Sequence, residues 1–218
     1  MSRNWEPMEQ EPLSPEELLA RLREEHSILA KMLRRPKAGI MKHSATLGLL
    51  GEIPYPYSCY PVAGQAENAC KLTLPSDLPP ELRDLYLIDP GLGNIYSNEA
   101  TLLIGVQACI YSRLGSSGIV TVSGMSAMLF KETRPSTPTS QHNFGKAFDM
   151  KLQGKMMSDG AAYDQTKCAA LCMYCVTAGA SRVIFSDQAV VDSVNQATGK
   201  KVCLYLAGHQ NHIHLDSR

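Results

Sequence analysis

Ser140-Gln141-His142-Asn143-Phe144-Gly145-Lys146-Ala147-Phe148-Asp149 is the stretch on which both fold and chemistry turn. Its second half reads as a strand. Alternation points Ala147 and Asp149 to one side and Phe148 to the other. Gly145 permits a tight turn between His142 and that strand. Near the chain end lies a second polar stretch, His209-Gln210-Asn211-His212-Ile213-His214-Leu215-Asp216. His212 and His214 are two apart, so one strand would present both on the same face. Imidazole nitrogens and a carboxylate oxygen are good zinc ligands, and catalytic sites leave a further position for water. Four of the six histidines fall in these two stretches, which speaks against chance scatter.

The chain around these stretches reads as helices and strands in alternation. A helical pattern starts at Asn98 and stops at Gly115, and Ile119 to Val122 then reads as a strand ending at Ser123-Gly124. A polar loop, Lys131 to Thr139, leads into the first stretch. A second helix is expected over 161–178, closed by Gly179. Val183 to Phe185 reads as a strand, and Val190 to Gly199 as a short helix or excursion. Val202 to Ala207 and His212 to Leu215 complete the strands. Short turns favour an α+β fold, with a small antiparallel or mixed sheet and helices on one side.

The N-terminal part differs in character. Ser14-Pro15-Glu16-Glu17 is a helix start, with a capping serine, a first-turn proline and a capping-box glutamate. Leu18, Leu22, Leu29 and Leu33 recur at helical spacing before Pro36. This amphipathic arm either docks on its own domain or anchors the chain to a protein partner. Residues 51–64, with three prolines and three tyrosines, read as an extended linker. We therefore expect a tail and helix over 1–50, a linker over 51–64 and the main domain over 65–218.

Composition excludes several classes. Lys+Arg and Asp+Glu both number 21, so no net charge draws the chain to nucleic acid or an anionic membrane. No apolar run approaches the roughly 20 residues of a membrane span. The polar N-terminus lacks the apolar core of a secretory signal, so the expectation is synthesis in the cytoplasm. The seven cysteines are odd in number and loosely spaced, which favours reduced thiols; a Cys59–Cys70 bridge stays open. Cys168, Cys172 and Cys175 fit the spacing of an iron–sulfur motif. They also fall on one helix face, where free cysteine packs as a small hydrophobe, and that reading is preferred.

Ser140-x-His142-x-x-Gly145-x-Ala147-x-Asp149, with His212-x-His214 about 65 residues beyond Asp149, resembles the motif pair of a known family. This is the zinc D-Ala-D-Ala carboxypeptidase and murein endopeptidase family, which includes VanY-like enzymes and phage endolysins. The Hedgehog signalling domain shares its fold. The resemblance covers roughly residues 98–218 and leaves residues 1–64 without a counterpart. It implies Zn2+ held by His142, Asp149 and His214, with Ser140 bracing the first motif. It implies that His212 sits near the attacking water and the transition state. His209 also has a counterpart in the murein endopeptidases.

Two departures stand out. Many relatives carry Asp or Glu three residues before the last ligand, as general base; here that residue is Asn211, which does not take up a proton at useful pH. His212 or His209 would have to serve instead, since imidazole titrates near 6.5. Relatives also often read S-G-Y-R before the first motif, whereas this chain reads Ser123-Gly124-Met125-Ser126. Arg134, on the following loop, either engages substrate or is a solvated arginine. The resemblance thus implies a peptidoglycan peptidase that hydrolyses an amide beside a D-amino acid in a stem peptide or cross-bridge. It would be a phage lysin, released to the cell wall or carried in the virion. The alternative is a zinc-binding domain on the same fold that has lost turnover and serves assembly.

Overall fold

A computed structural model describes residues 46–47, 53–54, 56–62, 68–78, 80–93, 95–115, 117–126 and 140–217. The expected N-terminal helix, the loop Lys131 to Thr139 and Arg134 lie outside these residues.

The described chain is α+β. Its strands in order are β1 (Thr46–Leu47), β2 (Ile53–Pro54), β3 (Tyr57–Tyr60), β4 (Ala69–Leu72), β5 (Tyr86–Ile88) and β6 (Tyr96–Asn98). They continue as β7 (Val120–Gly124), β8 (Ala147–Leu152), β9 (Arg182–Phe185), β10 (Cys203–Tyr205) and β11 (Ile213–Asp216). The helices are α1 (Glu99–Leu114), α2 (Gln165–Thr177) and α3 (Gln188–Thr198). The main sheet has six strands in the order β10-β9-β11-β8-β7-β5. Its centre is antiparallel, while β10 beside β9 and β5 beside β7 run parallel, so the sheet is mixed.

Alternation divides this sheet cleanly. Phe148, Met150 and Leu152 of β8, Ile213 and Leu215 of β11, and Val183 and Phe185 of β9 enter the core. Helix α1 packs on β7 and β8, and α2 on β9, to cover that face. The approach is close at Gly105, where an added Cβ would meet the Phe148 ring at 2.8 Å. Residues of opposite parity, among them Asp149, His214 and Asp216, lie on the other face.

The helix boundaries have local causes. Asn98 accepts a hydrogen bond from the Thr101 amide at 2.8 Å and so starts α1. The helix expected over 161–178 begins later, at Gln165. Residues Met157–Ala162 form 3-10 turns around Gly160 at φ 61°, and Asp164 then caps the helix through the Lys167 amide. The alternative left open at 190–199 resolves as α3, capped by Asp187 and ended by Gly199 at φ 63°.

The stretch expected as a linker is extended at Tyr57–Tyr60 but is not free there. It pairs with β4 in a three-stranded sheet, β3-β4-β6, and buries Tyr57 in the core. Cys59 and Cys70 face each other across this pair and are disulfide-bonded. The other five cysteines are free and buried, as expected of packing thiols. Cys168, Cys172 and Cys175 line the inner face of α2. Burial pushes the Cys168 thiol up to about 12 and raises Cys172 and Cys175 as well, so these sulfurs stay protonated.

No helix among the described residues is long and apolar enough to cross a membrane.

Candidate metal centre

His142 sits on a 3-10 turn, Gln141–Phe144, immediately before β8. Ser140 starts this turn by accepting a hydrogen bond from the His142 amide at 3.3 Å. Gly145 ends it at φ 66°, a left-handed conformation that suits glycine. The turn is tied down from outside. The Asn98 amide and the Ser97 hydroxyl both donate to the Gly145 carbonyl, at 2.8 and 3.0 Å. The Ser126 hydroxyl donates to the His142 carbonyl. The turn thus inherits its position from β6 and the start of α1.

Asp149 and His214 are direct cross-strand partners on β8 and β11. Cross-strand partners present their side chains on the same face. His214 Nδ1 lies 2.7 Å from Asp149 Oδ1, and His142 Nε2 lies 3.2 Å from Asp149 Oδ2. Across the other edge of β8, Gly124 pairs with Asp149 beside a register shift in β7. A Cβ on Gly124 would stand 2.2 Å from Asp149 Oδ2, so the carboxylate occupies the space a side chain would need.

One ligand atom from each of His142, Asp149 and His214 lies within 4.8 Å of the others, a group able to hold a metal ion. Two imidazoles and one carboxylate form a donor set open to several transition metals, zinc and iron among them. Among the described residues no cysteine joins such a group.

The electrostatics reflect the crowding. Burial alone would raise the Asp149 carboxyl, but hydrogen bonds and charge from His142 and His214 outweigh it and hold Asp149 well below the carboxylate range. Burial opposes a charge on His214, yet Asp149 on one side and Asp216 on the other hold its imidazole up at about 9.

Two further histidines, His209 and His212, gather beside the group. His212 Nε2 lies 3.9 Å from Asp149 Oδ2, while its Nδ1 lies 2.7 Å from Asn211 Oδ1. The His209 ring lies 4.8 Å from that of His212 and 5.9 Å from that of His214. The His209 loop is fixed by the Ser186 hydroxyl, which accepts from the His209 amide at 2.8 Å and donates to the Leu206 carbonyl. The Ser158 amide reaches Gln210 as well, at 3.1 Å. Burial lowers the pKa of both His209 and His212, and the positive neighbour His214 pushes in the same direction.

Sequence reasoning thus named five residues that the fold brings together: His142, Asp149, His209, His212 and His214. It passed over Asp216, although that residue stands two after His214 on the same strand, where alternation puts both on one face.

No family model matches the chain, and no curated protein matches it.

Proposed function

We propose that this chain is a zinc metallopeptidase of the D-Ala-D-Ala carboxypeptidase and murein endopeptidase type, acting on peptidoglycan stem peptides or cross-bridges. The observation that carries this reading is the meeting of His142, Asp149 and His214 within 4.8 Å on one sheet face. That meeting joins two motifs far apart in sequence, in the order the resemblance implies. We read the mixed sheet with helices on its opposite face as the Hedgehog/DD-peptidase fold.

In this reading His142 Nε2, an Asp149 carboxylate oxygen and His214 Nδ1 would hold the zinc, which when bound would supply Lewis acidity towards a carbonyl and a lowered pKa for water. The protein must then supply a base. His212 suits that task. If its Nδ1–H donates to Asn211 Oδ1, the Nε2 lone pair faces the Asp149 side of the centre. Its lowered pKa keeps it neutral and able to accept a proton at pH 7. Asn211 thereby replaces an acidic base with an amide that orients a histidine base. The His209 ring lies tilted against that of His212, 4.8 Å away, and disfavours a lasting positive charge there, which helps return the proton.

One observation favours a second reading, a zinc-binding domain that has lost turnover. Neither Asn211 nor the stretch Ser123-Gly124-Met125-Ser126 supplies the acid and the arginine that relatives use. Incubation of the purified protein with peptidoglycan, followed by mass spectrometry of the released fragments, separates the two. Cleavage beside a D-amino acid supports the peptidase. Zinc binding without any new fragment supports the second reading. A lysin released to the cell wall or carried on a phage particle is the setting in which the peptidase would act, with the N-terminal segment as the attachment to a protein partner.

A further inference from the structure

His214 differs from His142 in what stands behind it. Its Nδ1 faces Asp149, and its Nε2 lies 2.7 Å from Asp216 Oδ1. The second carboxylate oxygen of Asp216 is engaged by the Arg182 guanidinium. Strand register makes this arrangement. His214 pairs with Asp149 of β8, whereas Asp216 pairs with Arg182 of β9. Four side chains therefore run in a row on one face, in the order Arg182, Asp216, His214, Asp149. The Asp216 backbone is held too, since both the amide and the hydroxyl of Ser181 donate to its carbonyl, at 2.9 and 3.1 Å. By contrast, the buried Nδ1 of His142 has no hydrogen-bond partner among the described residues.

We propose that Asp216, braced by Arg182, is the positioning residue of the metal centre: it fixes the ring and the tautomer of His214 so that Nδ1 presents its lone pair to the metal. This rests on the metal-centre reading above. A neutral imidazole carries one N–H. A carboxylate can only accept, so Asp216 holds that hydrogen on Nε2 and frees Nδ1 as a ligand. The Arg182 fork occupies Oδ2 and leaves Oδ1 directed at His214. A carboxylate behind a ligating histidine also raises the basicity of the ligand, and losing such a partner costs about 10- to 100-fold in metal affinity. The rival role is structural, an ion pair that merely staples β9 to β11.

The test measures zinc affinity of the full chain by competition with a chromophoric chelator, beside thermal unfolding of each metal-free protein. Asp216→Ala should weaken zinc by about 10- to 100-fold. Asp216→Asn, which keeps an oxygen acceptor for Nε2–H, should recover part of that loss. Arg182→Met should cost less zinc affinity than Asp216→Ala, although it breaks the same ion pair. In the zinc-loaded wild type, long-range proton–nitrogen NMR should find the His214 hydrogen on Nε2. Equal zinc affinity in wild type and in the folded Asp216 variants would overturn the proposal while leaving the metal centre standing. A His214 hydrogen on Nδ1 would overturn it even where the variants fail to fold. A wild-type protein that binds no zinc would instead remove the metal-centre reading, and this proposal with it.

Discussion

Zinc should have to displace a proton from His214. In the metal-free protein that imidazole lies between two carboxylates, 2.7 Å from Asp149 and 2.7 Å from Asp216. Burial disfavours the charge, but the two carboxylates prevail and hold the group at about 9, above its ordinary value of 6.5. A raised pKa means that the folded state binds the proton more tightly than the unfolded state. The stabilisation is therefore complete below pH 6.5 and is lost as pH rises through 9. At about 1.4 kcal/mol for each pH unit, the interval corresponds to roughly 3 kcal/mol, shared between His214 and Asp149 rather than counted for each. His209 and His212 are lowered, so their contribution has the opposite sign and ends as the unfolded imidazoles lose their protons above 6.5, which leaves the upper part of the window to His214. Asp149 is ionised in both states. Zinc needs the Nδ1 lone pair, so each zinc bound near pH 7.5 should release about one proton. Affinity should tighten about tenfold per pH unit and level off once His214 is neutral. Calorimetry in buffers of different ionisation enthalpy counts the protons, and urea unfolding of the metal-free chain across the same range reads the stability. No proton released, together with metal-free stability that stays flat between 6.5 and 9, would refute the double-carboxylate clamp.

Gly124→Ala should leave the fold cooperative but weaken zinc on the order of 10- to 100-fold, because its Cβ would stand 2.2 Å from Asp149 Oδ2 and displace that ligand; chelator competition reads the loss, and unchanged affinity would show that Asp149 can move freely. Replacing Cys59 and Cys70 by serine should cost about 2–3 kcal/mol, as expected for a bridge closing a short loop, and urea midpoints with and without reductant should show the same difference. If the protein hydrolyses peptidoglycan, His212→Ala should cut the rate by roughly 10²- to 10⁴-fold with zinc still bound, and a near-normal rate would assign the proton to another group.

The parts of this structure that were legible in the sequence are those written in short periods. Alternation across Ala147, Phe148 and Asp149 gave the right faces, and Asn98 and Gly115 gave both ends of α1. The helix expected from 161 erred because Gly160 at φ 61° and the cap at Asp164 break a pattern that hydrophobicity alone continues. Other features depend on which strands become neighbours. Tyr57–Tyr60 is proline-flanked and reads as a connector, yet it gains a partner in β4 and a disulfide that sequence spacing left open. The pairing of Arg182 with Asp216 needs β9 beside β11, and no local pattern announces that order. Three candidate ligands could be named because their residue types are chemically distinctive. Their brace could not, because an aspartate and an arginine 34 residues apart are ordinary until register joins them.

The same register also fixes how two side chains of the candidate centre face each other. On β8, Phe148 and Met150 point into the core while Asp149 points out; on β11, Ile213 and Leu215 point in while His214 and Asp216 point out. A slip of one residue in either strand would exchange these sets, burying a carboxylate or an imidazole among apolar side chains and exposing Phe148 or Leu215. Each exchanged apolar side chain would forfeit about 1.5–3 kcal/mol of burial, before the cost of an unpaired buried charge. The core on the far face therefore fixes the pairing of Asp149 with His214, and with it the distance between two of the three ligands. His142 is not secured by this device, because it lies on a turn rather than in the ladder. Its position depends on Gly145 and on the bonds from Ser97, Asn98 and Ser126. Loosening that turn should move His142 while leaving the Asp149–His214 pair in register, because separate devices place the turn and the ladder.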